Sequence, residues 1–325
     1  MREAADVLPR PGAARPEKTG LSAAGISRRL ATMLLSIAHT TSYIYRRPVQ
    51  FGIHRLLIRA IDGPDVQIRQ SGLRISPDHH VRWLSDAFDN SVALVDFPVM
   101  ASRLEVESTL TVEQFNTNPF DFMLESYACT LPFSYDPGEA PDLAPLRRIA
   151  YQNDAPAVAQ WIRPFLGTQG SADTLEFLTA LNRSVPLGFR YTRREEPGVQ
   201  SPAETLNKRS GSCRDFALLF MEAARQLGIA ARFVSGYLCR GANQETFGSI
   251  TDATHAWAEL YLPGAGWKGF DPTIGALAAD LHVRTAVARE PAQAMPVAGS
   301  FTGASSDYLR MEVSVNAHIL TPAPG

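Results

Sequence analysis

Gly211-Ser-Cys-Arg-Asp-Phe-Ala217 is the stretch on which the fold turns, and two later ones complete it: Thr254-His-Ala-Trp-Ala-Glu259 and Gly269-Phe-Asp-Pro272. A thiol, an imidazole and a carboxylate occur in that order, each in its own local setting. These are the parts of an activated cysteine nucleophile, because a free cysteine is only a few per cent thiolate near neutral pH and needs a base beside it. A third group then fixes the tautomer and orientation of that base. Gly211 and Ser212 read as a turn, with Ser212 as a helix N-cap. Phe216, Leu219, Phe220, Ala223, Ala224 and Leu227 then recur at helical spacing, and Gly228 stops the run. Cys213 therefore falls in the first turn of a partly buried helix. Free backbone N–H groups and the helix dipole favour negative charge there and can donate to an oxyanion.

The partners fall on extended segments. Arg232 to Leu238 is rich in β-branched and aromatic residues and reads as a strand directly after the helix. His255-Ala-Trp-Ala-Glu-Leu-Tyr-Leu262 alternates and reads as a second strand. Pro263-Gly-Ala-Gly266 is a turn, and Trp267-Lys-Gly-Phe-Asp271 a third strand ending at Pro272. A tight antiparallel hairpin brings His255 and Asp271 side by side and lays them against the helix that carries Cys213.

These residues resemble bacterial transglutaminase-like proteins of the papain-like cysteine protease superfamily. The likeness covers Gly211 to Leu238, including Leu227-Gly-Ile-Ala-Ala-Arg-Phe-Val-Ser-Gly-Tyr237. It also covers His255 to Glu259, Gly266-Trp-Lys-Gly-Phe-Asp-Pro-Thr273, and the upstream block Gly198-Val-Gln-Ser-Pro-Ala-Glu-Thr-Leu206. The resemblance implies that Cys213 is the nucleophile, His255 the general base and acid, and Asp271 the group orienting the imidazole. It further implies a second oxyanion donor beside the Cys213 N–H. Tyr191 is the candidate, at the place where animal transglutaminases carry an aromatic donor; Gln200 is its rival, by analogy with the glutamine of papain-like proteases. Arg214, Trp257 and Gln200 are candidate cleft residues, with a packing role the blander reading of Trp257. His39 to Tyr45, Pro48-Val49, His54 to Leu57 and Asp86 to Val92 resemble the β-rich N-terminal domain that accompanies this group. The C-terminal portion fits less well, having Ala288-Arg-Glu-Pro-Ala-Gln-Ala-Met-Pro296 where family members often carry an acidic and aromatic segment.

The rest of the chain bounds the reading. Its 325 residues are 45% hydrophobic and 20% charged, enough for a large core, and the length favours two domains. A net charge of −2 gives no electrostatic footprint for nucleic acid or an anionic membrane. Cys129, Cys213 and Cys239 are too few and too scattered for a disulfide framework or a zinc site, and Cys129 and Cys239 read as small hydrophobes. His79-His80 reads as a surface loop without metal-ligand partners, and His39 and His54 as packing or capping residues. Arg28 to Ala38 superficially resembles a signal peptide, but its apolar run is short and leads straight into the first strand pattern. Residues 1–33 are expected to be a disordered tail, with Met33 as a candidate start. No stretch reaches the roughly 18 apolar residues of a membrane span, and a cytoplasmic location is expected, which suits a free thiol.

The expected organisation is α+β. An antiparallel β-sandwich-like domain over 34–135 has strands at 36–45, 66–75, 91–95 and 104–112. A Pro-containing connector, 132–145, ends it. A papain/transglutaminase-like core over 136–285 adds helices at 155–165 and 172–185 and an extended Phe189-Arg-Tyr191. The C-terminal portion, 286–325, is expected to be a surface loop over 291–306 and a last strand over 310–319.

The chemistry implied is acyl transfer on an amide or peptide bond through a thioester on Cys213. Water as acceptor makes it a peptidase or amidase, the favoured outcome; an amine makes it a cross-linking transglutaminase. A non-catalytic peptide-binding scaffold is the alternative from another class, and an acyl-coenzyme A-dependent acetyltransferase, with the same triad order, has no specific support. The substrate is expected to be a peptide or protein, and no metal or organic cofactor is required. Animal transglutaminases use calcium, but no EF-hand-like loop occurs here.

Overall fold

Alternation of apolar and polar residues dictates the first third of the chain. In a computed structural model describing residues 32–115, 118–167, 170–194, 196, 198–239 and 253–320, six strands come first. They are β1 (Met33–Phe51), β2 (His54–Leu56), β3 (Val66–Ser76), β4 (His80–Ser85), β5 (Ser91–Asp96) and β6 (Ala101–Gln114). The tail expected at 1–33 lies outside the described residues except for its last two, and Met33 already belongs to β1. Along β6, Leu104, Val106, Leu110 and Val112 are buried while the intervening glutamates and threonines are not, the period-2 pattern of a half-buried strand. β1, β6 and β3 form one antiparallel sheet, and β2, β5 and β4 a second. Tyr45, Val49 and Phe51 of the first sheet pack with Leu56, Ala93 and Val95 of the second, giving the expected sandwich-like arrangement. All six residues of β4 are exposed, and this short segment was not among the expected strands. His80 opens this strand instead of lying in a loop, with Nδ1 3.1 Å from Asp96 Oδ2.

The middle of the chain is helical. The expected connector at 132–145 instead contains most of α1 (Ala140–Arg147), because Pro141 stands in the first turn, where its missing N–H costs nothing. β7 (Thr130–Leu131) pairs with β8 (Ala172–Asp173). α2 (Ala155–Ile162) and α3 (Thr174–Gly188) follow the predicted spacing, and Asp173 caps α3 through the N–H of Glu176. Next come β9 (Arg190–Tyr191), α4 (Pro202–Lys208), β10 (Ser210–Gly211) and α5 (Cys213–Gln226). α5 ends where predicted: Gly228 takes φ +77°, a left-handed position that suits glycine.

A five-stranded sheet follows, in the order β14-β13-β12-β11-β15. Its members are β11 (Ala231–Leu238), β12 (His255–Leu262), β13 (Gly266–Asp271), β14 (Ala276–Leu277) and β15 (His282–Ala288). Phe216, Leu219, Phe220 and Ala223 of α5 share one buried cluster with Ala256, Ala258, Leu260 and Phe270 of the hairpin. Each large side chain buried here contributes roughly 1.5–3 kcal/mol of transfer free energy. β15, buried at six of its seven residues, was not among the expected strands. Gly236 of β11 permits its close approach: a Cβ there would lie 2.1 Å from the Val283 carbonyl oxygen and 2.8 Å from the Trp257 ring.

The chain then returns to its beginning. β16 (Val297–Ala298) pairs with β2, β17 (Phe301–Thr302) with the end of β1, and β18 (Tyr308–Ile319) runs antiparallel along β1 from Leu35 to Tyr45. The surface loop expected at 291–306 is therefore partly structured, with Ala294 and Val297 buried; its pairings are too short to leave a periodic signal. Leu35, Ile37, Leu110 and Val315 of the N-terminal sheet pack with Tyr237 and Val283, so Ala31–Gly325 forms one compact unit. Among the described residues no helix is long and apolar enough to cross a membrane.

Candidate active site

Cys213 is the first residue of α5 and is half-buried. Asp215 organises the turn that presents it. Its buried carboxylate accepts from the Ser212 N–H and hydroxyl, the Gln200 N–H and side-chain amide, and the Arg194 guanidinium. Burial opposes the charge of Asp215, but these N–H and O–H donors outweigh it and hold its pKa below the ordinary carboxylate value. β10 pairs in parallel with β9, placing Gly211 opposite Tyr191 and bringing Tyr191 alongside the approach to Cys213.

His255 and Asp271 meet as the hairpin register requires. His255 Nε2 lies 2.7 Å from Asp271 Oδ2, and both side chains are 0% exposed. The other ring nitrogen, Nδ1, is buried and makes no conventional hydrogen bond among the described residues. The Cys213 side chain lies beside that ring. Burial alone would drive the imidazole to its neutral form; the charge and hydrogen bond of Asp271, helped by Cys213, raise its pKa to about 10. Burial likewise opposes ionisation of Asp271, but His255 and His282 hold its pKa well below the usual value. Asp271 Oδ1 accepts the Thr273 N–H at 2.9 Å.

His282 was not among the residues the sequence singled out. Its Nε2 lies 3.0 Å from the same Asp271 Oδ2, and its Nδ1 accepts the Ala279 N–H at 3.2 Å. The available signal was slight: a histidine opening the apolar run His282-Val-Arg-Thr-Ala-Val-Ala288 shortly after Asp271. His255, Asp271 and His282 are also the one trio among the described residues whose ligand-type atoms cluster, all within 4.8 Å. The hydrogen bonds oppose a metal there: with Nδ1 accepting, His282 carries its proton on Nε2, the atom that would have to bind the ion.

Tyr191 is half-buried and packs against the cluster that includes Cys213. Burial, then the nearby charges of Cys213 and Asp271, push its pKa up, so its hydroxyl remains a hydrogen-bond donor. Gln200 is turned elsewhere: its amide nitrogen donates to Ser210 O at 3.1 Å and Asp215 Oδ2 at 3.2 Å, because the buried carboxylate is the stronger acceptor. Arg214 is half-buried and donates to the carbonyls of Arg194 and Glu196, fastening the loop before the nucleophile. Trp257 is a core residue instead of a cleft residue, 1% exposed, stacked on His255 at 6.1 Å and set edge-on to His282 at 5.1 Å. Cys239 is buried, which raises its pKa to about 12, whereas Cys129 is exposed and not the buried hydrophobe expected.

Residues 160–272 match the transglutaminase-like superfamily core, and residues 35–113 match the bacterial transglutaminase-like N-terminal region. An uncharacterised protein of Mycobacterium leprae is 24% identical over 86% of this chain and 98% of its own length. An uncharacterised protein of Mycobacterium bovis is 34% identical over 43% of this chain and 47% of its own length. Among solved structures, a candidate cysteine protease from Cytophaga hutchinsonii has a similar fold. It gives a TM-score of 0.64 at 19% identity, covering 90% of this chain and 93% of that one.

Proposed function

Because the chain is a bacterial transglutaminase-like protein, with that family's core at 160–272 and its N-terminal region at 35–113, we propose that it performs thiol-dependent acyl transfer on a peptide or amide bond. Cys213 supplies the thiol and His255 Nδ1 takes its proton. The sulfur attacks the carbonyl carbon, and the negative charge gathers on the carbonyl oxygen, where the Cys213 N–H and the Tyr191 hydroxyl are the proposed donors. The imidazolium then protonates the departing amine, leaving a thioester on Cys213. Water restores the thiol and releases a carboxylate.

The observation that carries this reading is the arrangement about His255. Nε2 is committed to buried Asp271, while Nδ1 is left without a conventional partner and faces the side of the nucleophile. Hydrolysis is preferred over transfer to an amine because Cys213 is only half-buried, so water reaches the thioester; the Cytophaga hutchinsonii neighbour, described as a candidate cysteine protease, agrees. The substrate is then a peptide or an unfolded protein segment.

The test is incubation with an unfolded protein and a labelled primary amine, with products read by mass spectrometry. Cleaved peptides without amine incorporation are expected from the wild type, and none from Cys213→Ala. The substitution should leave the melting temperature within a few degrees, because it removes one half-buried sulfur. Amine incorporation instead of cleavage would convert the reading to transglutaminase. Equal products from wild type and Cys213→Ala would remove catalysis altogether and favour a peptide-binding scaffold.

A further inference from the structure

Asp271 is completely buried yet holds three donors: the Thr273 N–H on Oδ1, and the ring nitrogens of His255 and His282 on Oδ2. Orienting one imidazole needs a single oxygen, so the second imidazole on that oxygen calls for its own account. We propose that His282 is a positioning residue of the site, a neutral imidazole whose Nε2–H fixes the Asp271 carboxylate and through it the ring of His255. The inference rests on the acyl-transfer reading and deepens it.

Four observations define how His282 is held. Its Nδ1 accepts the Ala279 N–H, so the proton of the neutral ring is on Nε2, aimed at Asp271. Its carbonyl accepts the side-chain amide of Gln114 at 2.8 Å, a contact from the last residue of β6 in the N-terminal sheet. Its backbone pairs with Leu238 of β11. Its ring meets the edge of Trp257, which also stacks on His255. The N-terminal sheet therefore reaches the candidate triad through a single hydrogen-bonded residue. A carboxylate with one oxygen pinned by a backbone N–H and the other shared by two fixed donors has no freedom to rotate away from His255.

The titratable groups around this cluster are few. His255 and His282 face Asp271 directly, Tyr191 interacts with it from β9, Cys213 acts on His255 from the start of α5, and Asp280 lies beside His282 in the preceding turn. A hydrogen bond to a carboxylate favours its ionised form. Losing the His282 donor frees the carboxylate to turn away from His255, so the imidazolium is less firmly held and the thiolate it stabilises takes up its proton at a higher pH.

The experiment is iodoacetamide alkylation across pH 5–9, with rates read for each cysteine peptide by mass spectrometry and exposed Cys129 as the reference thiol in the same molecule. Three variants are compared, with melting temperatures recorded for each. His282→Leu removes both ring nitrogens. His282→Asn places an amide nitrogen near Nδ1, and His282→Gln places one near Nε2, where it can still donate to Asp271. His282→Leu and His282→Asn should slow Cys213 labelling at pH 6 by about tenfold and move its acid limb upward by about one pH unit. His282→Gln should recover most of both. Equal profiles for His282→Asn and His282→Gln, or losses uniform in pH, would overturn the proposal, and that pair decides the matter even if His282→Leu does not fold. A wild-type Cys213 profile identical to that of Cys129 would remove the nucleophile reading and the proposal together. An intact wild-type limb that His282→Asn leaves in place would remove the proposal alone.

Discussion

Asp215 accepts both the backbone N–H and the side-chain hydroxyl of Ser212 on one carboxylate oxygen, each at 2.8 Å. The residue before the nucleophile is thus fixed by the residue two after it, and Gln200 and Arg194 join at the same carboxylate. Asp215→Ala leaves a set of buried donors without an acceptor and should destabilise the fold by about 3–5 kcal/mol. Urea denaturation checks this, and an unchanged midpoint would show that the network is dispensable.

Tyr191→Phe separates two steps. Alkylation by iodoacetamide forms no oxyanion, whereas attack on an amide does. The variant should cleave peptides about 100-fold more slowly, the typical loss of one oxyanion donor, while Cys213 is alkylated at the wild-type rate. Undiminished peptide cleavage would assign the second donor elsewhere.

The pair His255 and Asp271 sets opposite limbs of the stability profile. His255 has a folded pKa raised to about 10 from 6.5, so its stabilisation is complete below pH 6.5 and fades as the pH climbs through 10. Asp271 has a lowered one, so its contribution is present above 3.8 and is lost as the pH falls through the folded value. Melting temperatures of the wild type should therefore decline from pH 6.5 to 10, and His255→Gln should flatten that decline. A parallel decline in both proteins would assign the alkaline limb to other groups.

Gly236→Ala tests the closeness of β15. The added carbon would fall 2.1 Å from the Val283 carbonyl oxygen, so β11 and β15 must separate. A loss of about 1–3 kcal/mol is expected in calorimetry, as for overpacking elsewhere. An unaltered melting temperature would mean that the strand pair yields easily.

Legibility in the sequence followed periodicity. Phe216 to Leu227 announced α5 through apolar residues at helical spacing closed by Gly228, and His255 to Leu262 announced β12 with its bounds through alternation closed by Pro263-Gly264. The hairpin between Leu262 and Gly266 then put Asp271 next to His255. His282 stayed hidden because nothing local ties it to Asp271, eleven residues earlier, and only the three-dimensional neighbourhood reveals a second imidazole on that carboxylate. The orientation of the Gln200 amide was hidden for a similar reason: its partner, Asp215, is fifteen residues away. The last strand, Tyr308–Ile319, could be read from alternation over 310–319, but its pairing with β1 could not, since alternation fixes a face and not a neighbour.

That pairing orders events during synthesis. β1 leaves the ribosome well before β18, the strand that covers its free side from Leu35 to Tyr45. Until residue 319 has emerged, β1 presents a row of unpaired N–H and C=O groups on that side, an invitation to intermolecular strand pairing. The segment from β7 to β15 is in effect an insertion held between two halves of one sheet, so a chain cut short after β15 would keep every residue of the candidate triad and still lack the strand that closes its N-terminal domain.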